Sequence, residues 1–207
     1  MEKIFTCVEL DPVPAALPEQ AIWARLGRNR YLSEISPECR SAYRTEMLKA
    51  FEFCQPRGRW CLLKVENVEM ESVRIADFGC LRSAEFAAFT ASAPYLWLGA
   101  VTVGEAISQA AAALQTEKMS SAVIYDAVGS ECADAAIGLL QQHAAVQLAR
   151  SGMQLDKRRF SPGYGKLSLS VQQEIFAKLR LEQYGMTLNE SFIMQPEKSV
   201  TAFARVF

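Results

Sequence analysis

The sequence predicts an α/β (α+β) fold, a single domain over residues 1–207 with a twisted antiparallel or mixed sheet packed by long helices. Three observations predict it. Half of the 207 residues are apolar, enough for one sizeable core. Short β-prone runs bounded by Gly, Pro and polar turn residues recur through the first hundred positions and again at the end. Between them, after Gly104, the composition turns alanine-rich and helical as far as Arg150.

The run Lys3 to Leu10 is a candidate strand, ended by the proline-rich DPVPAALP, because each proline removes a donor and fixes φ. A helix is expected from about Pro18 to Gly27. The next starts at Ser36, a good N-cap followed by Pro37, and its apolar pattern points toward Gln55, with Pro56 and Gly58 closing it. Trp60 to Val65 and Met70 to Ile75 read as neighbouring strands joined by a Glu66-Asn67 turn. Ser83 caps a short helix with Glu85 in its first turn, and Tyr95 to Val103 is apolar and β-prone enough for a central strand ending at Gly104.

Two helices follow, Glu105 to Gln115 and about Ser120 to Arg150, the second with Gly129 and Gly138 placed for close helix packing. A basic strand or loop spans Asp156 to Tyr164, then a helix from Ser170 to Tyr184 with Gln173 set for a capping box and Gly185 as its stop. Strands at Ser191 to Met194 and Val200 to Phe207, joined by Gln195-Pro196-Glu197-Lys198, complete the chain. No internal repeat or low-complexity linker separates these pieces.

Charge and composition exclude several partners. With 22 basic and 23 acidic residues the formal charge is −1, so no field draws the chain to nucleic acid or an anionic membrane. The start MEKIFTCVEL lacks the basic, then apolar, pattern of a secretory signal, and the apolar window Ala87 to Ala100 is interrupted by Thr90, Ser92 and Pro94. A cytoplasmic location is expected. Cys7, Cys39, Cys54, Cys61, Cys80 and Cys132 form no C-x-x-C pair and read as buried reduced thiols, not as metal ligands. The lone histidine, His143, reads as a packing or surface residue of the long helix.

The sharpest local feature is Arg159-Phe160-Ser161-Pro162-Gly163-Tyr164-Gly165. Arg159 offers a planar fork of donors for a carboxylate, Gly163 and Gly165 leave backbone amides unobstructed, and Tyr164 brings a flat face and a hydroxyl. Such parts suit an amino-acid ligand; an arginine-rich surface turn between a strand and a helix has the same composition.

This stretch resembles the Arg-x-x-x-Gly-Tyr signature, with proline before the glycine, that binds S-adenosylmethionine in the activation (reactivation) domain of cobalamin-dependent methionine synthase. Leu188 to Pro196 is similar to the family's Leu-x-Glu-Ser-x-x-Met-x-Pro run, and Ala100 to Gly104 resembles the strand and turn before its long helix. The likeness covers residues 100–207; residues 1–99 match less well. In the family a tyrosine pair touching the adenosyl ligand lies past the position that matches Phe207, and Lys166 stands where a shorter or acidic residue is usual.

The resemblance implies a free-standing reactivation module that binds S-adenosylmethionine and presents its methyl group to reduced cobalamin. It would be an accessory part of a methyltransferase system. Cobalamin would be carried by the partner, a methionine synthase lacking its own activation domain, with flavodoxin or another electron donor. By the same resemblance Arg159 would hold the methionyl carboxylate, with Ser161, Pro162, Gly163 and Tyr164 completing the loop. Asp134 is the nearest match to a carboxylate of the long helix, and is otherwise a solvated helix-face charge. Glu190, Ser191 and Met194 would border or support the cleft; alternation along that run puts Ser191 and Ile193 on one face and Phe192 and Met194 on the other, at least one pair being core. The alternative from another class is a corrinoid-protein interaction module that does not bind S-adenosylmethionine.

Overall fold

A computed structural model describes residues 7–27 and 36–207; the start of the expected Lys3 to Leu10 strand lies outside them. At the centre, strand β5 (Tyr95–Thr102) pairs antiparallel along its whole length with β2 (Arg57–Val68) on one side and β9 (Ser199–Val206) on the other. With β1 (Val8–Leu10), β3 (Ser72–Ile75), β4 (Gly79–Arg82) and β6 (Leu155–Phe160), they form one seven-stranded sheet, ordered β4-β3-β2-β5-β9-β6, with β1 beside β2. Every pairing in it is antiparallel, which settles the antiparallel-or-mixed alternative. A separate hairpin joins β7 (Thr187–Leu188) and β8 (Met194–Gln195).

Strand alternation sorts the core onto the two faces of this sheet. Trp60, Leu62, Trp97, Val101, Ala202 and Ala204 form one apolar cluster with Ala136, Ile137, Leu140 and Ala144 of the long helix α5 (Met119–Ala149). Cys61, Leu63, Leu96, Leu98 and Phe203 form the other, with α3 (Ala84–Thr90) and α6 (Gln172–Leu179). The first half of α5 is wrapped by α1 (Glu19–Arg25), α2 (Pro37–Phe51) and α4 (Ala106–Leu114), where Ile22, Met47, Ile107 and Val128 are fully buried. An apolar surface on more than one side is therefore what α5 requires, and its buried alanines are the packing face read from composition.

Several local signals act as expected. Ser36 Oγ accepts from the Cys39 amide at 3.2 Å with Pro37 in the first turn, and Ser83 Oγ accepts from the Phe86 amide at 3.0 Å. At Gly129 a Cβ would stand 3.1 Å from Ile107 of α4, so this glycine lets two helices approach.

Other boundaries move for tertiary reasons. The expected Glu66-Asn67 turn is a bulge within β2, and the reversal comes at Glu69, whose amide donates to the Ser72 carbonyl and whose carboxylate accepts from Asn67 and Ser72. β4 was not anticipated, because only Leu81 in it is buried and alternation has nothing to reveal it. The helix expected from Ser170 to Tyr184 is split. A 3-10 turn at Leu169–Val171, capped by Ser168, precedes α6, so the Ser170–Gln173 capping box does not form. Arg180 then turns left-handed at φ 52°, and a second 3-10 turn runs to Gly185. Arg59 donates to the Leu179 carbonyl at 3.0 Å and Arg57 to the Tyr184 carbonyl at 2.6 Å, so side chains of β2 satisfy the carbonyls at these ends.

The tightest approach in the sheet is at Gly99, where a Cβ would lie 2.2 Å from the Trp97 ring. The indole, fully buried, lies over the glycine two residues along its own strand face. Gly99→Ala should therefore force the ring out of its seat and cost about 1–3 kcal/mol, as overpacked core substitutions do. Urea unfolding followed by tryptophan fluorescence measures it; unchanged stability would contradict the packing.

Candidate functional site

The long helix and the last two sheet strands place Arg159 and Asp134 on one side of the sheet. Arg159 and Phe160 are successive residues at the end of β6, paired with Ala204 and Phe203 of β9, and alternation sends them to opposite faces. Phe160 packs edge-on against Phe86 of α3, with ring centroids 5.3 Å apart. Arg159 goes to the α5 side, where its Nη1 donates to Gln141 Oε1 at 3.3 Å and stands 3.7 Å from where a Cβ would sit on Gly138. Among the described residues no carboxylate pairs with Arg159.

Asp134 lies one turn before Gly138 on α5, so the two share a helix flank. It is exposed and lines a cleft of about 210 Å³ together with Ser130, Lys198, Ser199, Val200, Arg25 and Glu197. Lys198 on its wall pairs with Asp126 at 2.5 Å and donates to Ser130 Oγ at 3.1 Å. The cleft and the 159–164 loop share β9: Val200 lines the one, and Ser161 Oγ donates to the carbonyl of adjacent Thr201 at 2.8 Å. That volume is below the roughly 300–1,000 Å³ of small-molecule pockets.

Pro162 is buried and anchors the loop, and Ser83, the cap of α3, also donates to the Gly165 carbonyl at 2.5 Å. One expectation is corrected here. The Gly163 amide is not open to a ligand, because it donates to the Leu167 carbonyl at 2.7 Å; Gly163 serves the turn instead, at φ 90°, a conformation side chains with a Cβ avoid. Gly165 is a packing residue, since a Cβ there would lie 2.8 Å from both Glu85 and Phe160. Tyr164 is 72% exposed and faces solvent.

The second motif does not form the expected strand. Glu190 and Ser191 are exposed in the turn of the β7–β8 hairpin, where Asn189 Oδ1 accepts from the Ser191 and Ile193 amides, both at 2.9 Å. This side chain replaces strand pairing with a local turn. Neither Glu190 nor Ser191 lines the cleft. Met194 is half-buried against the α6-side core, and Ile193 is exposed, so the run supports the fold through Met194.

Sequence reading missed Gln141 and Lys198, and read Gly138 as a helix-packing glycine, whereas the group beside it is the Arg159 guanidinium. The spacing Asp134, Gly138, Gln141 is i, i+4, i+7, one flank of a helix, and that signal was present once Asp134 had been placed. All six cysteines are free: Cys61 and Cys132 are buried as expected, whereas Cys80, on the sheet-edge strand β4, is exposed. His143 is half-buried beside Gln147, at 3.1 Å. No cluster of three or more potential metal ligands occurs among the described residues, and no helix among them is long and apolar enough to cross a membrane.

The site thus sits on an antiparallel sheet with a long helix on one face, where an arginine loop leaves the edge strand beneath that helix. No protein-family model and no curated protein matches the chain. Among solved structures it is similar to the crystal structure of the MetH reactivation domain bound to AdoHcy, with a TM-score of 0.71 and 18% identity over 97% of this chain and 78% of that one. At that identity the likeness shows the fold.

Asp156, at the start of β6, holds this region from behind. The Arg158 amide and the Arg205 guanidinium, both donating to it, keep its carboxyl below the ordinary aspartate value. A depressed folded-state value means the contribution is full above the unfolded aspartate pKa and lost as pH falls through the folded one. Asp156→Asn should accordingly flatten the acid limb of stability below about pH 4, read by thermal melts across pH; parallel limbs would contradict it.

Proposed function

We propose that the chain is a free-standing reactivation module for cobalamin-dependent methionine synthase, binding S-adenosylmethionine between the Arg159–Tyr164 loop and the Asp134 flank of α5. The observation that carries the reading is Arg159: a guanidinium without a carboxylate partner among the described residues, on the Arg-x-x-Pro-Gly-Tyr loop of a fold solved elsewhere with AdoHcy. In this reading Arg159 takes the methionyl carboxylate, Asp134 takes the ammonium, and Pro162 and Gly163 set the loop against β9. Cobalamin, carried by the partner, supplies the reduced cobalt that accepts the methyl group. This chain contributes binding and orientation, so its share of catalysis is positional.

Tyr164 and Leu169, 72% and 40% exposed, support a docking face beside the donor site for a cytoplasmic methionine synthase that lacks this domain. Flavodoxin or another reductant would supply the electron. The second reading is an interaction module for corrinoid proteins without S-adenosylmethionine binding. It is favoured by the loop amides of Gly163 and Tyr164, both already used within the loop.

Calorimetric titration of S-adenosylmethionine into the protein, alone and with a cob(II)alamin-loaded synthase fragment, separates the two. Donor presentation predicts binding that weakens roughly 30-fold, about 2 kcal/mol, in Arg159→Ala. Capture of the corrinoid fragment with no donor binding in either setting would establish the interaction module instead.

A further inference from the structure

We propose that Gln141 is a positioning residue, holding the Arg159 guanidinium toward a ligand carboxylate while leaving its charge uncompensated; the inference rests on the donor-binding reading above. Gln141 is 7% exposed on α5, and its Nε2 donates to the Asp156 carbonyl at 2.6 Å. A carbonyl oxygen only accepts, so the amide nitrogen must face Asp156 and Oε1 must face Arg159. The orientation of the side chain is thus dictated by the backbone of β6. That backbone is itself held, since the Asp156 carboxylate accepts from the Arg158 amide at 3.1 Å and from Arg205 Nε at 2.9 Å.

The chemistry of the partner matters as much as its place. A neutral amide occupies one of the five guanidinium donors and adds no charge, whereas a carboxylate there would pair with Arg159 and compete with the ligand. Gly138, on the same flank, keeps the space beside Nη1 open, as its nearest contact is that nitrogen at 3.7 Å. An oriented acceptor on one side and an unfilled space on the other leave the guanidinium ordered and charged. Its selectivity is for ligands that keep the amino-acid carboxylate.

The test titrates wild type, Gln141→Glu, Gln141→Leu and Gly138→Glu with AdoHcy and with 5′-methylthioadenosine, which lacks the amino-acid portion. Gln141→Glu and Gly138→Glu should each weaken AdoHcy about tenfold or more and leave 5′-methylthioadenosine unchanged. Gly138→Glu reaches Arg159 without altering the buried amide, so the test stands even where a Gln141 variant fails to fold. Retained AdoHcy affinity in both, or equal loss of both ligands, would overturn the proposal. The Arg159 Nε–Hε NMR signal, assigned with Arg159→Ala, adds a readout that needs no ligand: it should be ordered in wild type and mobile in Gln141→Leu, and equal order in the two would also overturn it. Wild type that binds neither compound while its Arg159 signal behaves as expected sinks the donor reading instead.

Discussion

The seat of α5 on the central strands governs the rest of the molecule. A helix can lie close on a sheet only where the sheet face is shallow, and here that face carries Gly58, Gly99, Ala202 and Ala204 around the flat indole of Trp97. At Gly58 a Cβ would meet Val101 at 2.8 Å and Leu140 of α5 at 3.1 Å, so even one added carbon would lift the helix. The helix answers with Ala136, Ala144 and the branched Ile137 and Leu140. Its opposite side needs α1, α2 and α4, because an apolar helix surface turned to water would forfeit the burial that stabilises it.

The candidate site follows from that seat. With α5 against β5 and β9, its flank carrying Asp134, Gly138 and Gln141 stands over the last strand of the sheet, where β6 delivers Arg159. The loop after β6 is held from three directions: Ser161 to β9, Pro162 into the core, and Gly165 to the cap of α3. For an arginine proposed to take a carboxylate, a direction held before the ligand arrives favours affinity, since ordering a long side chain on binding costs it. The Arg205–Asp156 pair and the Gln141 amide extend that ordering from the sheet to the guanidinium.

The same arrangement shows why local signals sometimes lost. Ser170 and Gln173 have the spacing of a helix start, yet the chain begins its turn from Ser168, the helix stops where Arg59 reaches the Leu179 carbonyl, and the turn after it ends where Arg57 reaches that of Tyr184. In the Leu188 to Pro196 run, residue types that alternate like a strand are overridden by Asn189, whose side chain satisfies two amides and folds the segment into a hairpin turn. In both places a side chain outside the periodic pattern decided the backbone, which periodicity does not register.

Much of the fold was legible in the residues themselves. The caps at Ser36 and Ser83, the breaks at Gly104 and Gly185, the central strand from Tyr95 and the length of α5 depend on short-range chemistry, so the sequence determined them alone. Arg159 to Tyr164 stood out in the sequence through its resemblance to a family signature, while proline and glycine restrict the loop wherever it sits. Only the tertiary structure decided that every sheet pairing is antiparallel, that β4 closes one edge, that the Gly163 amide is spent within its own turn, and that Gln141 faces Arg159. Those outcomes rest on contacts between residues far apart in the chain, whose geometry is set when α5 settles on the sheet and not by any residue's neighbours in sequence.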